Sequence, residues 1–234
     1  MGGIPFLQAH SGNYRKGRAS SIQYIVIHYT ANDGDAAAGN ARYFASQALK
    51  SPASAHYFVD ERQVWQSVKD ADTAYHCGTA GKYRHPSCRN GNSLGIELCS
   101  RKDKNGRYYF KPETLERAAA LARALAQTYQ IPPEHILRHY DVTGKTCPAP
   151  MVQDPALWER FKTMIWEGGD HMNEYPDWAK KPYSWISDLP GWAQTAARKA
   201  VAKGIVATNR DSSITLLGAN LQPLVWMDRA GLLD

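Results

Sequence analysis

The segment RHYDVTGKTCPAP sets His139 and Cys147 eight residues apart, with Lys145 between them. Imidazole nitrogen and thiolate are both zinc ligands, and zinc accepts the two together. Upstream, the apolar run IQYIVIHYT reads as a buried strand delivering His28 near its end, where a chain leaving a sheet can present a side chain to a cleft. Three protein ligands leave a fourth tetrahedral position for water, which separates catalytic zinc sites from closed structural ones. His28, His139 and Cys147 therefore point to a hydrolytic zinc site.

Residues this far apart need a sheet to gather them. After the first strand, DGDAAAGNARYFASQAL has Asp and Ala ahead of Tyr43, Phe44 and Leu49, which predicts an acidic-capped helix over one sheet face. SAHYFVD and QVWQSV alternate bulky and polar residues around Asp60-Glu61-Arg62 and read as a hairpin; NSLGIELCS predicts another strand. KPETLERAAALARALAQTYQI places Leu115, Ala118, Leu121, Ala122, Leu125 and Tyr129 on one face, with Pro112 near its start where the missing N–H costs little. The turn IPPEH ends that helix, HILRHY predicts a short strand carrying His139, and ALWERFKTMIW predicts a closing helix. Strands alternate with helices, so the fold class is α/β.

Near Gly168-Gly169-Asp170 the helical periodicity gives way to a Pro-containing polar stretch that reads as a linker. The expected division is a main domain over 1–167, then linker and small helical appendage over 168–234. The appendage is expected to hold one helix over GWAQTAARKAVAKGI, ending at Gly204, and another over ANLQPLVWMDRAGLL, ending near Gly231.

A chain of 234 residues suits one sizeable core plus such an appendage. No apolar run reaches the roughly 18 residues of a membrane span, and MGGIPFLQAHSG lacks the apolar core of a signal peptide; synthesis in the cytoplasm without membrane insertion is the expectation. The formal charge of +6 favours anionic partners. Lys and Arg are dispersed rather than clustered as in nucleic-acid arms, so a polyanionic cell wall fits and nucleic acid is not expected. Cysteines at 77, 88, 99 and 147 form no CxxC pair and are read as mostly reduced thiols.

The motifs IVIHYT, SAHYFVD, YHCG, NSLGIELC and RHYDVTGKTCP, in that order, resemble the zinc-dependent N-acetylmuramoyl-L-alanine amidases of the phage lysozyme and peptidoglycan-recognition type, over roughly residues 20 to 166. The resemblance implies a mixed central sheet flanked by helices. It implies a peptidoglycan hydrolase of the phage or prophage endolysin kind, which acts at the bacterial wall after release and cuts the amide between N-acetylmuramic acid and L-alanine. By position, His28, His139 and Cys147 match the zinc ligands, Lys145 a lysine that supports the intermediate, and Glu97 the acid/base glutamate of bacillus-type endolysins. One departure sorts the chain into that branch: Ala55 stands before His56 where the phage lysozyme branch has a catalytic tyrosine. His76 in AYHCG is expected to face the cleft and touch substrate; His56, on the hairpin, is expected to line the cleft or to pack. The appendage resembles a single S-layer-homology-type unit, which implies wall binding and leaves packing or dimerisation open.

In the expected chemistry Glu97 takes a proton from water and delivers it to the leaving amine, while the Lys145 ammonium shares the oxyanion with the metal. Three other readings stand beside it. A structural salt bridge would also account for a carboxylate in an apolar strand. A binding module would hold muropeptides without cutting them, and a structural zinc domain would close the fourth position with another side chain. His10, His85, His135 and His171 carry no assignment.

Overall fold

The computed structural model describes residues 4–79, 81–168, 182–209, 211–214, 216–217, 221, 224–225, 228 and 233. The chain divides into two compact units, 1–169 and 170–234.

The first unit is built on a five-stranded mixed sheet: β1 Tyr24–Tyr29, β2 Tyr57–Val59, β3 Val64–Gln66, β4 Ser93–Leu98 and β5 Ile136–Arg138, in the order β3-β2-β4-β1-β5. Only the β2–β3 hairpin is antiparallel; β1 runs parallel to both β4 and β5, and β2 parallel to β4. Parallel strands buried on both faces read as near-continuous apolar runs, which is why IQYIVIHYT shows no clean alternation.

The two faces differ nonetheless. Ile25 and Ile27 of β1, Leu94, Ile96 and Leu98 of β4, and Tyr57 and Val59 of β2 join one core cluster. Against it packs the helix α2, Pro112–Tyr129, through Ala118, Leu121, Ala122 and Leu125, with Leu115 and Tyr129 partly buried at its edge. Pro112 opens the helix, and Gln130 closes it in the left-handed region at φ 54°, its N–H returned to the Ala126 carbonyl. Full burial of one such Leu or Ile side chain is worth about 1.5–3 kcal/mol.

Because side chains alternate along a strand, the opposite face carries Tyr24, Val26 and His28 from β1 and Ser93, Gly95 and Glu97 from β4. Those residues pair one to one in register: Tyr24 with Ser93, Val26 with Gly95, His28 with Glu97. The functional face of the sheet is thus the one α2 does not cover.

Helix α1, Ala37–Ser46, packs Ala37, Ala41 and Phe44 against Phe58, Trp65 and Cys99. It has no side-chain cap of its own. The expected acidic cap, Asp35, instead accepts from Thr30, Asn32 and Asn40 side chains. The Ala37 N–H donates to the buried Asp60 carboxylate at 2.8 Å, and Asp60 also accepts from the Arg62 and Gln63 N–H groups of the hairpin turn. One carboxylate from a distant loop therefore closes the turn and the helix end together.

After β5 come α3 (His139–Thr143), α4 (Ala149–Gln153) and α5 (Pro155–Thr163). His139 is the first residue of α3, not part of the short strand predicted over HILRHY. The closing helix runs over into a π turn at Met164–Gly168. All four cysteines are buried and free.

In the second unit, α6 spans Gly191–Ala202 and buries Ala193, Ala196, Ala197 and Ala200 with Leu189, Ile214, Leu216 and Leu221. Gly204, at φ 69°, follows its end. Pro182–Tyr183 pairs antiparallel with Leu216–Leu217, a small strand pair where only helices were expected. The linker after Gly168 and most of the second expected helix lie outside the described residues.

Candidate metal centre and cleft

His28 leaves β1 on the uncovered face, His139 begins α3 immediately after the neighbouring strand β5, and Cys147 follows a tight return of the chain. That return starts at Gly144, which ends α3 at φ 84° with its N–H on the Tyr140 carbonyl. A side chain there is strained by the left-handed backbone and would also have to displace the Arg84 guanidinium, 2.5 Å from a Cβ position. The Tyr140 N–H then donates to the Cys147 carbonyl at 2.8 Å, which draws the thiol back beside the start of α3.

The result is a cluster in which one donor atom from each of His28, His139 and Cys147 lies within 4.8 Å of the others, all three residues buried. The outer nitrogens of both rings are taken: His28 Nε2 lies 3.0 Å from His76 Nδ1, and His139 Nε2 lies 3.1 Å from the Gly78 carbonyl oxygen. This leaves each Nδ1 for a ligand. His28 Nδ1 and Cys147 Sγ are 3.7 Å apart. A zinc ion bonded at about 2.0–2.1 Å to nitrogen and about 2.3 Å to sulfur in tetrahedral geometry holds those atoms roughly 3.6 Å apart. The donor set and its spacing therefore fit such an ion.

Burial holds the His28 imidazole well below the usual histidine range, with His139, His76 and Lys145 adding to the effect. Burial likewise brings His139 down to about 4, helped by Lys145. Both rings are neutral at pH 7, the form that binds metal. The Cys147 thiol is pushed up to about 12 by burial and by Glu97, against a backbone hydrogen bond from Tyr29 and the charge of Lys145.

These residues sit in a cavity of about 730 Å³ that Glu97 and Lys145 also line, together with Tyr43, Tyr75 and Asn40. Glu97 Oε2 is buried without a hydrogen-bond partner. Burial raises the Glu97 carboxyl to about 8, opposed by Lys145 and reinforced by Asp35. No ion pair holds this group among the described residues, so the salt-bridge reading of Glu97 has no support. Lys145 is exposed on the loop before Cys147.

One expectation needs correction and another is met in part. His56 is fully buried and absent from the cleft lining. Its Nδ1 accepts from the Gly95 N–H at 2.9 Å, and its Nε2 is met by Arg18 Nη2 at 2.7 Å and the Asp72 carbonyl at 3.3 Å. Packing, not substrate contact, is its role. His76 does border the cleft, but its two nitrogens face His28 and Ser93 rather than open space. Sequence reasoning missed Ser93, Asn90 and Gly95 around it. Gly95, a glycine inside an apolar strand, was the available signal of a close approach.

A sheet that gathers two imidazoles and a thiol at the floor of an open cleft defines an α/β domain built around a candidate metal centre. Comparison with known proteins narrows the class. Residues 18–150 match the N-acetylmuramoyl-L-alanine amidase family. A probable N-acetylmuramoyl-L-alanine amidase of Bacillus licheniformis is 34% identical over 154 residues, 63% of this chain and 42% of that protein. The N-acetylmuramoyl-L-alanine amidase XlyA of Bacillus subtilis (strain 168) is 31% identical over 162 residues, 67% of this chain and 48% of that protein. The structure of the XlyA catalytic domain has a TM-score of 0.57 at 27% identity, covering 70% of this chain and 99% of that one. The chain thus spans less than half the length of these curated relatives. It belongs to the N-acetylmuramoyl-L-alanine amidase family.

Proposed function

We propose that the chain is a zinc-dependent peptidoglycan amidase of the endolysin type, cutting the bond between N-acetylmuramic acid and L-alanine. What carries the reading is the meeting, in one cleft, of three donor atoms within 4.8 Å and an unpartnered carboxylate oxygen on Glu97. The matched relatives are amidases by name, and a mutant endolysin from Bacillus subtilis shares the fold at 28% identity and a TM-score of 0.56.

His28, His139 and Cys147 would hold the ion. Bound zinc supplies Lewis acidity, lowering the pKa of a water and polarising a carbonyl oxygen. Glu97 Oε2 accepts the proton of the attacking water as its oxygen bonds to the amide carbon. A cation held beside Glu97 would bring its raised carboxyl back down toward neutrality, where a group can both take a proton and give it up. The same oxygen then delivers that proton to the leaving nitrogen as the C–N bond breaks, giving a muramic carboxylate and a free L-alanine amine. Lys145 brings a positive charge to the cleft mouth, where it stabilises negative charge on the carbonyl oxygen. The second unit, in this reading, holds the enzyme on the wall.

Mass analysis of digested peptidoglycan tests the proposal. New L-alanine amino termini with free lactyl carboxyls on muramic acid are expected. Binding to walls without any new termini would leave a non-catalytic recognition module in its place.

A further inference from the structure

The metal reading accounts for His28, His139 and Cys147 but not for the most elaborately held ring in the cleft. His76 is buried, and its backbone is pinned by Asn90 Oδ1, which accepts from the His76 and Cys77 N–H groups at 3.0 and 2.7 Å. The strand beneath is cleared for it: a Cβ on Gly95 would stand 2.6 Å from His76 Cγ. Such provision for one imidazole asks for a purpose beyond filling space.

The hydrogen atoms around it have one consistent assignment. If His28 Nδ1 faces the ion, its Nε2 must carry the hydrogen and donate to His76 Nδ1, 3.0 Å away. His76 Nδ1 is then an acceptor, so Nε2 bears the hydrogen of that ring and points at Ser93 Oγ, 3.2 Å away. Ser93 Oγ in turn donates to the Arg89 carbonyl at 2.6 Å. Every donor in the row faces the same way, and the row ends on a backbone acceptor that cannot reverse. Cys77 Sγ, 3.3 Å from His76 Nδ1, can only add a second donor to the same acceptor.

We infer that His76 is a positioning residue for the metal centre: the row Ser93–His76–His28 fixes the tautomer and ring orientation of His28 so that Nδ1 faces the ion. The inference rests on the assignment of His28, His139 and Cys147 as ligands. A partner of this kind on a ligating imidazole raises its basicity and removes the cost of orienting it, and its loss typically weakens metal binding about 10–100-fold.

Zinc affinity by chelator competition reads the effect directly. His76→Ala is expected to bind zinc about 10–100-fold more weakly. His76→Asn keeps an oxygen acceptor near the former Nδ1 and is expected to recover most of the loss. A ring that merely filled space would leave zinc affinity in both variants tracking the melting temperature of the metal-free protein, with no rescue by Asn, and that result would overturn the inference. So would wild-type affinity in His76→Ala. In case the variants fail to fold, histidine ¹⁵N shifts of the zinc-loaded wild type give an independent answer. Hydrogen on Nε2 of both His28 and His76 is expected; hydrogen on Nδ1 of His76 rejects the row. Cys147→Ser separates the two levels of argument, since undiminished zinc affinity there would reject the ligand assignment itself.

Discussion

His28 and Glu97 stand opposite each other in register on adjacent parallel strands, so the sheet itself sets a donor for a cation beside a carboxyl whose buried Oε2 has no hydrogen-bond partner among the described residues. Registered neighbours on one face have closely spaced Cβ atoms, and no flexible loop intervenes. The expected outcome of Glu97→Gln is retention of zinc with turnover down about 10²–10⁴-fold. Cys147→Ala is expected to lose zinc and turnover together. Metal analysis beside a wall-lysis assay separates the two, and undiminished lysis by either variant would reject its assigned role.

The raised carboxyl of Glu97 also links stability to pH. Its folded value of about 8 exceeds the ordinary value of 4.5, so the folded state holds this proton more tightly than the unfolded chain does. The contribution of this one group to stability therefore falls as pH rises from about 4.5 to about 8 and levels off above that window. Glu97→Gln has no such proton. In metal-free protein the melting temperature of Glu97→Gln relative to wild type is expected to climb between pH 5 and pH 8.5; a constant offset across that range would contradict it.

Zinc loading should acidify the solution. The Cys147 thiol, held near 12, is protonated in the metal-free protein at neutral pH, whereas both ligand histidines are already neutral there. Binding as thiolate then releases at least about one proton per ion near pH 7.5, and the Glu97 carboxyl, raised to about 8 in the metal-free protein, can add to that number. Calorimetric titration in buffers of different ionisation enthalpy measures that number, and zero release would contradict a thiolate ligand.

Gly95→Ala tests the clearance beneath His76. The added methyl meets the imidazole at 2.6 Å, and overpacking of this kind costs about 1–3 kcal/mol. A lower unfolding midpoint in denaturant is expected, together with weaker zinc binding, because the displaced ring is the partner of His28.

Much of this was legible in the sequence, and unevenly so. The α2 face from Leu115 to Tyr129 was readable because apolar periodicity over about four turns has few competing explanations. The meeting of His28, His139 and Cys147 was legible because chemical type and motif order agree, and the presence of Glu97 in the same cleft because GIELC resembles the family's motif. His56 and His76 were not separable by sequence. Both are histidines on segments near the cleft, and only the folded chain decides that one is buried against the Gly95 backbone while the other reaches His28. The cap on α1 was misread for a related reason: Asp35 is adjacent in sequence, but Asp60 is adjacent in space. The strand pair of the second unit rests on two-residue segments too short to carry a pattern.

Removal of the second unit gives the last test. A chain ending at residue 169 is expected to keep zinc binding and turnover on soluble muropeptides while pelleting less with whole walls. Equal retention by both chains would remove the anchoring role.

The three donors come from a strand, a helix start and a loop that meet only when β1 and β5 lie side by side in correct register. No fragment of the chain contains a local version of this grip. If these donors hold zinc as proposed, metal uptake is a checkpoint on the first unit's sheet: a preparation that has misthreaded β1 and β5 is expected to remain blind to zinc however much helix it displays.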